Sequence, residues 1–120
     1  MDAPERARAV ETATAEEREQ AFRAYVHSQL ADDGTSPVAM PGYRTHLAAW
    51  LLWCREHEIQ LSEVTVADVR HYRRMLAVEG ADQRNISHKC LVLRRFYHGA
   101  VNGKFIRENP ALGIFPFHGC

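Results

Sequence analysis

Three stretches of this chain repeat apolar residues at helical steps, and none alternates in the way a strand does. Tyr43, Leu47, Trp50, Leu51 and Cys54 recur at steps of three and four, with Trp53 widening their face. Val66, Val69, Tyr72 and Leu76 repeat the spacing, flanked by Met75. Ile86, Cys90, Leu93 and Tyr97 repeat it again, with Phe96 alongside. Such steps put side chains on one side of an α-helix, whereas a strand needs steps of two. A fourth stripe, Ala21, Phe22, Tyr25, Val26 and Leu30, precedes them. Each stripe must be buried against the others. The expected fold is therefore all-α, a bundle of four to five helices with short connections.

The punctuation agrees with this reading. Thr14 with Glu17 three residues later has the form of a capping box, and Glu16, Glu17 and Glu19 suit the positive end of a helix dipole. This predicts an acidic first helix over 14–31, after a disordered N-terminus over 1–13. Asp32-Asp33-Gly34-Thr35-Ser36-Pro37 reads as a loop. Pro41 falls in the first turn of the second helix, which fades near His57–Ile59. Leu61-Ser62-Glu63-Val64 is a connector, Thr65 with Asp68 caps the third helix, and Gly80 ends it. Asp82 caps the fourth, and Asn102-Gly103 ends or breaks it. Phe105-Ile106 reads as a short buried segment before Pro110. The helical domain is expected over 14–113 and a C-terminal tail over 114–120.

A chain of 120 residues holds one sizeable core. No run approaches the roughly 18 apolar residues of a membrane span. The first twenty residues have no apolar core of a secretory signal, so a cytoplasmic protein is expected, with no membrane partner. Cys54, Cys90 and Cys120 are odd in number and widely spaced, which implies no disulfide framework. Cys54 and Cys90 sit in apolar stripes as small core residues, and Cys120 reads as an exposed thiol.

The formal net charge is zero, yet it is divided. Eight acids face four arginines up to Thr35. Eleven Lys/Arg face seven acids from Ser36 onward. Between Arg84 and Arg107 there are six basic residues and no acid. Local asymmetry of this kind points to an anionic partner. The seven histidines show no HxxxH pairing, and His118 with Cys120 is too few ligands for a metal. There is no GxSxG, Walker or GxGxxG motif, and the neighbours Ser87 and His88 point about 100° apart on a helix. No metal, cofactor, small-molecule substrate or catalytic constellation is implied. Trp50 belongs to the core stripe; Trp53 is readable as core or as a base-stacking surface.

On a helical wheel Ile86, Cys90, Leu93 and Tyr97 fall on one side, and Arg84, His88 and Arg95 almost opposite. Gln83, Asn85, Ser87 and Lys89 fill the flanks near the helix start. Arg and Lys suit phosphate or guanine, Asn and Gln suit adenine, and a helix N-terminus attracts phosphate. From the residues alone a DNA-contacting face and a merely solvated one both remain open.

The order of motifs carries more. GYRTHLAAWLLWCREHEI, LSEVTVADVRHYRRMLAVEG and ADQRNISHKCLVLRRFYHGAVNGKFIRENPA resemble, in sequence, the N-terminal core-binding domain of tyrosine recombinases, the phage integrases and the Xer-type and Cre-type enzymes. The resemblance covers about Pro41 to Leu112. The acidic helix over 14–30 looks like the extra first helix of the Cre-type arrangement. The resemblance implies a SAM-like helical domain, one jaw of a clamp around double-stranded DNA. It implies that Arg84, Asn85, Ser87, His88 and Lys89, with Gln83 beside them, face the major groove. Gly42, Arg44, Thr45 and His46 would approach a neighbouring stretch. Pro41 and Gly42 depart from the family, whose members carry longer polar residues there, which puts base reading by that tip in doubt. Arg94 and Arg95 are phosphate contacts or solvated charge.

In the family a catalytic domain with Arg, Lys, His and a nucleophilic Tyr follows the "NPA" segment. Here ten residues follow Pro110, so the resemblance implies no enzyme activity of this chain by itself. Tyr25, Tyr43, Tyr72 and Tyr97 are not the nucleophile. One domain of a longer integrase and a small standalone relative both remain open. The competing reading is a protein-interaction module, an accessory or regulatory factor. It would associate with a recombinase catalytic domain or another core-binding domain, with Phe115 and Phe117 either buried in the partner or packed back on their own bundle.

Overall fold

The computed structural model describes the backbone of residues 3–31 and 40–112, and side chains over 15–31 and 40–112. The Asp32–Pro37 loop and the tail bearing Phe115, Phe117, His118 and Cys120 lie outside the described residues. Four α-helices follow in order: α1 (Ala3–Leu30), α2 (Tyr43–Glu56), α3 (Val66–Val78) and α4 (Gln83–Asn102), with a 3-10 turn at Leu61–Glu63. Among the described residues there is no strand. None of these helices is long and apolar enough to cross a membrane.

The expected start of α1 is corrected. The helix begins at Ala3, not at Thr14, so residues 3–13 continue it where a disordered N-terminus was expected. Pro4 lies in the first turn, where its missing N–H leaves no bond unmade. The residues from Glu5 to Ala13 are Glu, Arg, Ala, Val and Thr, with no Gly or Pro to stop a helix. The second helix starts at Tyr43 with Gly42 as its cap, so Pro41 precedes it and does not fall in its first turn. The boundaries of α3 and α4 follow their caps. Thr65 and Asp68 form the reciprocal box, with Asp68 N–H on Thr65 Oγ1 at 3.2 Å and Thr65 N–H on Asp68 Oδ2 at 2.9 Å. The Asn85 N–H donates to Asp82 Oδ1 at 2.8 Å, which fixes the start of α4. The helix closes at Gly103.

The core is aromatic and centres on Trp50. Its ring meets Trp53 at 5.3 Å, Tyr72 at 4.9 Å and Tyr97 at 6.3 Å between centroids. Its indole N–H donates to the Tyr97 hydroxyl at 3.0 Å, so the polar edge of a fully buried ring is satisfied. Removing a ring of this kind costs about 3–5 kcal/mol. Trp53 is also buried and stacks on His57 at 4.2 Å, so it is core and not an open stacking surface. Cys54 is a buried free thiol, pushed up to about 12 by burial and then by the Asp68 carboxylate. Cys90 is buried in its stripe but is disulfide-bonded, which corrects the expectation that the cysteines form no disulfide.

The central helix is α4, which packs against α1, α2 and α3. Its buried face is accordingly wider than the four-residue stripe: Val92, Phe96 and Ala100 are buried with Ile86, Cys90, Leu93 and Tyr97. Tyr25 of α1 stacks on Phe96 at 5.3 Å and donates its hydroxyl to the Phe96 carbonyl at 2.5 Å. A Cβ at Gly99 would sit 2.2 Å from the Tyr25 oxygen, so this crossing needs glycine. After α4 the chain folds back. Phe105, half-buried as the apolar pair predicts, stacks on Phe22 at 5.3 Å. Asn109 donates to the Arg94 carbonyl at 2.9 Å and accepts from the Ala111 N–H, anchoring buried Pro110 and Ala111 to α4.

Candidate nucleic-acid interface

The cap at Asp82 decides which side chains leave the first turn of α4. Its carboxylate is occupied by the Asn85 N–H, and Gln83, Arg84 and Asn85 are exposed on that turn. No acid follows until Glu108. Beyond the Asp82 carboxylate at the cap, the N–H groups of the turn and the Arg84 guanidinium therefore add their fields with no further countercharge along the helix. One turn later Ser87, His88 and Lys89 are half-buried, because the start of α2 lies against them.

That start is shaped by Pro41 and Gly42. Gly42 caps α2 in the left-handed conformation, at φ 74°. A Cβ there would stand 3.1 Å from His46 Nε2, so backbone and packing both favour glycine. His46 folds against His88, with centroids 5.1 Å apart and rings nearly perpendicular. His88 Nε2 donates to the Pro41 carbonyl at 2.6 Å, and the Lys89 ammonium donates to His46 Nδ1 at 3.1 Å. Burial lowers the His46 pKa below its ordinary value, and the nearby Lys89 and His88 lower it further.

The structure thus joins two segments that sequence reasoning placed side by side only through a resemblance. The tip of α2 offers exposed Arg44 and Thr45, and the first two turns of α4 offer Gln83, Arg84, Asn85, Ser87, His88 and Lys89. The short residues at the tip have a structural role. Pro41 supplies an acceptor and Gly42 makes room, so the tip is a platform for α4 side chains. The His46–Lys89 contact was not legible, since its partners are 43 residues apart.

Arg95 is not part of this junction. It lies seven residues beyond His88, about 10 Å along the helix. There it lines an open groove of about 940 Å³ with Leu91, His98, Val101, Arg107 and Leu112. Leu91 and Leu112 are exposed in it, Leu112 by 51%. Glu108 also lines this groove.

The tyrosines are set for packing. Burial pushes Tyr25 and Tyr72 up to about 12, and raises Tyr97 further. Phenols that resist ionisation and lie in the core make poor nucleophiles. Among the described residues, no three His, Cys, Asp or Glu side chains gather as metal ligands. His57 and His71 instead pack on the Trp53 ring.

One family model matches the chain, that of the phage integrase N-terminal SAM-like domain, over residues 20–104. No curated protein and no solved structure matches it. An all-helical bundle with these residues under the match leads to one assignment: the chain belongs to the phage integrase N-terminal SAM-like domain family.

Proposed function

We propose that this domain is a DNA-binding module of tyrosine-recombinase type, non-catalytic by itself, acting in the cytoplasm on double-stranded DNA. The N-terminal end of α4 enters the major groove, and the tip of α2 lies on the adjoining backbone. Arg84, Lys89 and Arg44 meet phosphates, Gln83, Asn85 and His88 offer limited base reading, and Thr45 and Ser87 add hydroxyl contacts. Because His88 Nε2 is engaged by Pro41, its Nδ1 is the atom left for a base. Arg95 is at most an outlying phosphate contact. The observation that carries this reading is the junction of α2 and α4, where polar and basic side chains are exposed on both elements and no acid lies on α4 beyond its Asp82 cap.

Phosphate binding of this kind weakens with salt, log K falling by about 0.9 per phosphate neutralised per tenfold rise in salt. Titrating a fluorescein-labelled 20-base-pair duplex at several salt concentrations tests it. Micromolar or weaker binding with a slope of several phosphates is expected. No binding at the lowest salt, or an affinity indifferent to salt, refutes the reading.

The groove around Leu91 and Leu112 favours a second role, as a surface for a recombinase catalytic domain or another core-binding domain. Apolar side chains among arginines suit a protein partner better than a phosphate backbone. Light scattering with and without DNA separates the roles: association that needs no DNA supports this one.

A further inference from the structure

We propose that His46 is a positioning residue for the DNA interface, holding the Lys89 ammonium at the junction of α2 and α4 and passing it to a phosphate when DNA arrives. The inference rests on the DNA-binding reading and deepens it. Lysine has a long flexible stem, and ordering it on binding costs entropy unless something orders it beforehand. Among the described residues, the partner of Lys89 Nζ is His46 Nδ1, at 3.1 Å. An ammonium only donates, so this ring nitrogen is bare and the ring is neutral. A carboxylate in the same place would hold the lysine and cancel its charge. A neutral imidazole holds it and leaves the full charge for a phosphate.

The surroundings keep His46 in that state. The ring is half-buried, Gly42 gives it room, and the His88 ring, pinned through Nε2 to Pro41, closes it from the other side. The charged and titratable groups acting on it are Lys89 and His88, both from α4, and they disfavour its protonation. A phosphate at Lys89 relieves that repulsion. The bound state therefore binds a proton more readily than the free state. By linkage DNA affinity rises as pH falls into the range where the DNA-bound ring takes up a proton before the free one does.

The test uses the full chain and the same labelled 20-base-pair duplex. His46→Leu removes the acceptor, and binding at pH 8 is expected to weaken three- to tenfold. Its salt slope stays at the wild-type value, because Lys89 still neutralises its phosphate. Lys89→Gln instead lowers the slope by about 0.9. His46→Gln supplies an acceptor oxygen that does not titrate. It is expected to bind within twofold of wild type at pH 8 and to show a shallower rise in affinity toward pH 5.5. His88 is present in both proteins, so the difference between their profiles isolates His46.

Wild-type affinity in His46→Leu overturns the proposal, as does failure of His46→Gln to restore binding or a His46→Gln pH profile that overlays wild type. If circular dichroism finds His46→Leu unfolded, His46→Gln alone decides, by its affinity and profile. A wild-type chain that binds no duplex at low salt brings down the DNA-binding reading itself. A wild-type chain that binds with a normal slope, beside His46 variants that match it, brings down only the role of His46.

Discussion

The two halves of α4 carry similar charge and face different surroundings. The first half presents Arg84, His88 and Lys89, and the second Arg94, Arg95 and His98. Around the first half stand a carbonyl from Pro41 and an imidazole from His46, polar groups that orient the His88 ring and the Lys89 ammonium without placing an acid beside them. Around the second stand Leu91, Val101 and Leu112, and a returning segment whose Asn109 grips the Arg94 carbonyl. A row of positive charge on a helix therefore says little until its neighbours are known. Polar neighbours leave a surface suited to phosphates; apolar ones leave a surface suited to a protein.

The largest effect should come from reversing charge separately on the first half and in the groove that lies beside the second. Arg84→Glu with Lys89→Glu is expected to weaken duplex binding more than 100-fold while leaving helicity intact. Arg95→Glu with Arg107→Glu should cost less than about fivefold, a residue of long-range attraction weakened by screening over about 10 Å at ordinary salt. Equal losses in the two double variants would erase the distinction between the halves.

Alkali should strike the second half first. Tyr25 and Tyr97 both hold it, one through the Phe96 carbonyl and one through Trp50, and Tyr72 packs on the same indole. Their folded pKa values lie above the unfolded value of 10, so the unfolded chain loses these protons first. Stability is thus full below pH 10 and falls as pH rises from 10 toward 12. For buried Tyr72 alone the fall is on the order of 2–3 kcal/mol. Urea unfolding at pH 8, 10 and 11.5 measures it. Hydrogen exchange should quicken at residues 93–102 before 83–90; the reverse order would place the weak point elsewhere.

A smaller loss is expected from Gly99→Ala. The added methyl would meet the Tyr25 oxygen at 2.2 Å and push α1 off the second half of α4. Overpacking at such a crossing costs about 1–3 kcal/mol. Duplex affinity per folded molecule should stay within twofold, because the added methyl disturbs Tyr25 at Phe96 and Gly99, while α1 is held to the start of α2 separately, by Gln29 accepting from the Tyr43 hydroxyl. A large loss of affinity would show that the halves are coupled.

What the chain disclosed in advance follows the range of each interaction. Helical stripes and the caps at Thr65 and Asp82 are local patterns, and all reappear in the fold. The start of α1 was misread because Thr14–Glu17 has the form of a cap while the residues before it are helix formers as well. Burial of Val92 was missed because the width of a buried face depends on how many neighbours a helix has, and α4 has three. The candidate DNA residues on α4 were visible as a face, but not their division. Arg95 lines the groove beside the returning segment, which no local pattern showed. The resemblance placed His46 near the face, but not its contact with Lys89, 43 residues away.

The subtlest test concerns Asp82, the one acid at the edge of the first half. Its carboxylate caps α4 and also places a negative charge where a phosphate would approach. Serine caps about as well as aspartate, so Asp82→Ser should change stability by only a few tenths of a kcal/mol. Removing the charge should raise duplex affinity two- to threefold at low salt, with the gain shrinking as salt rises. Asp82→Ala separates the two roles, losing about 1 kcal/mol of stability with the cap while showing a similar gain per folded molecule. Were DNA held by the groove beside the second half of α4, about 14 Å or more away along the helix, neither variant would change affinity measurably, since that distance exceeds the screening length of about 10 Å.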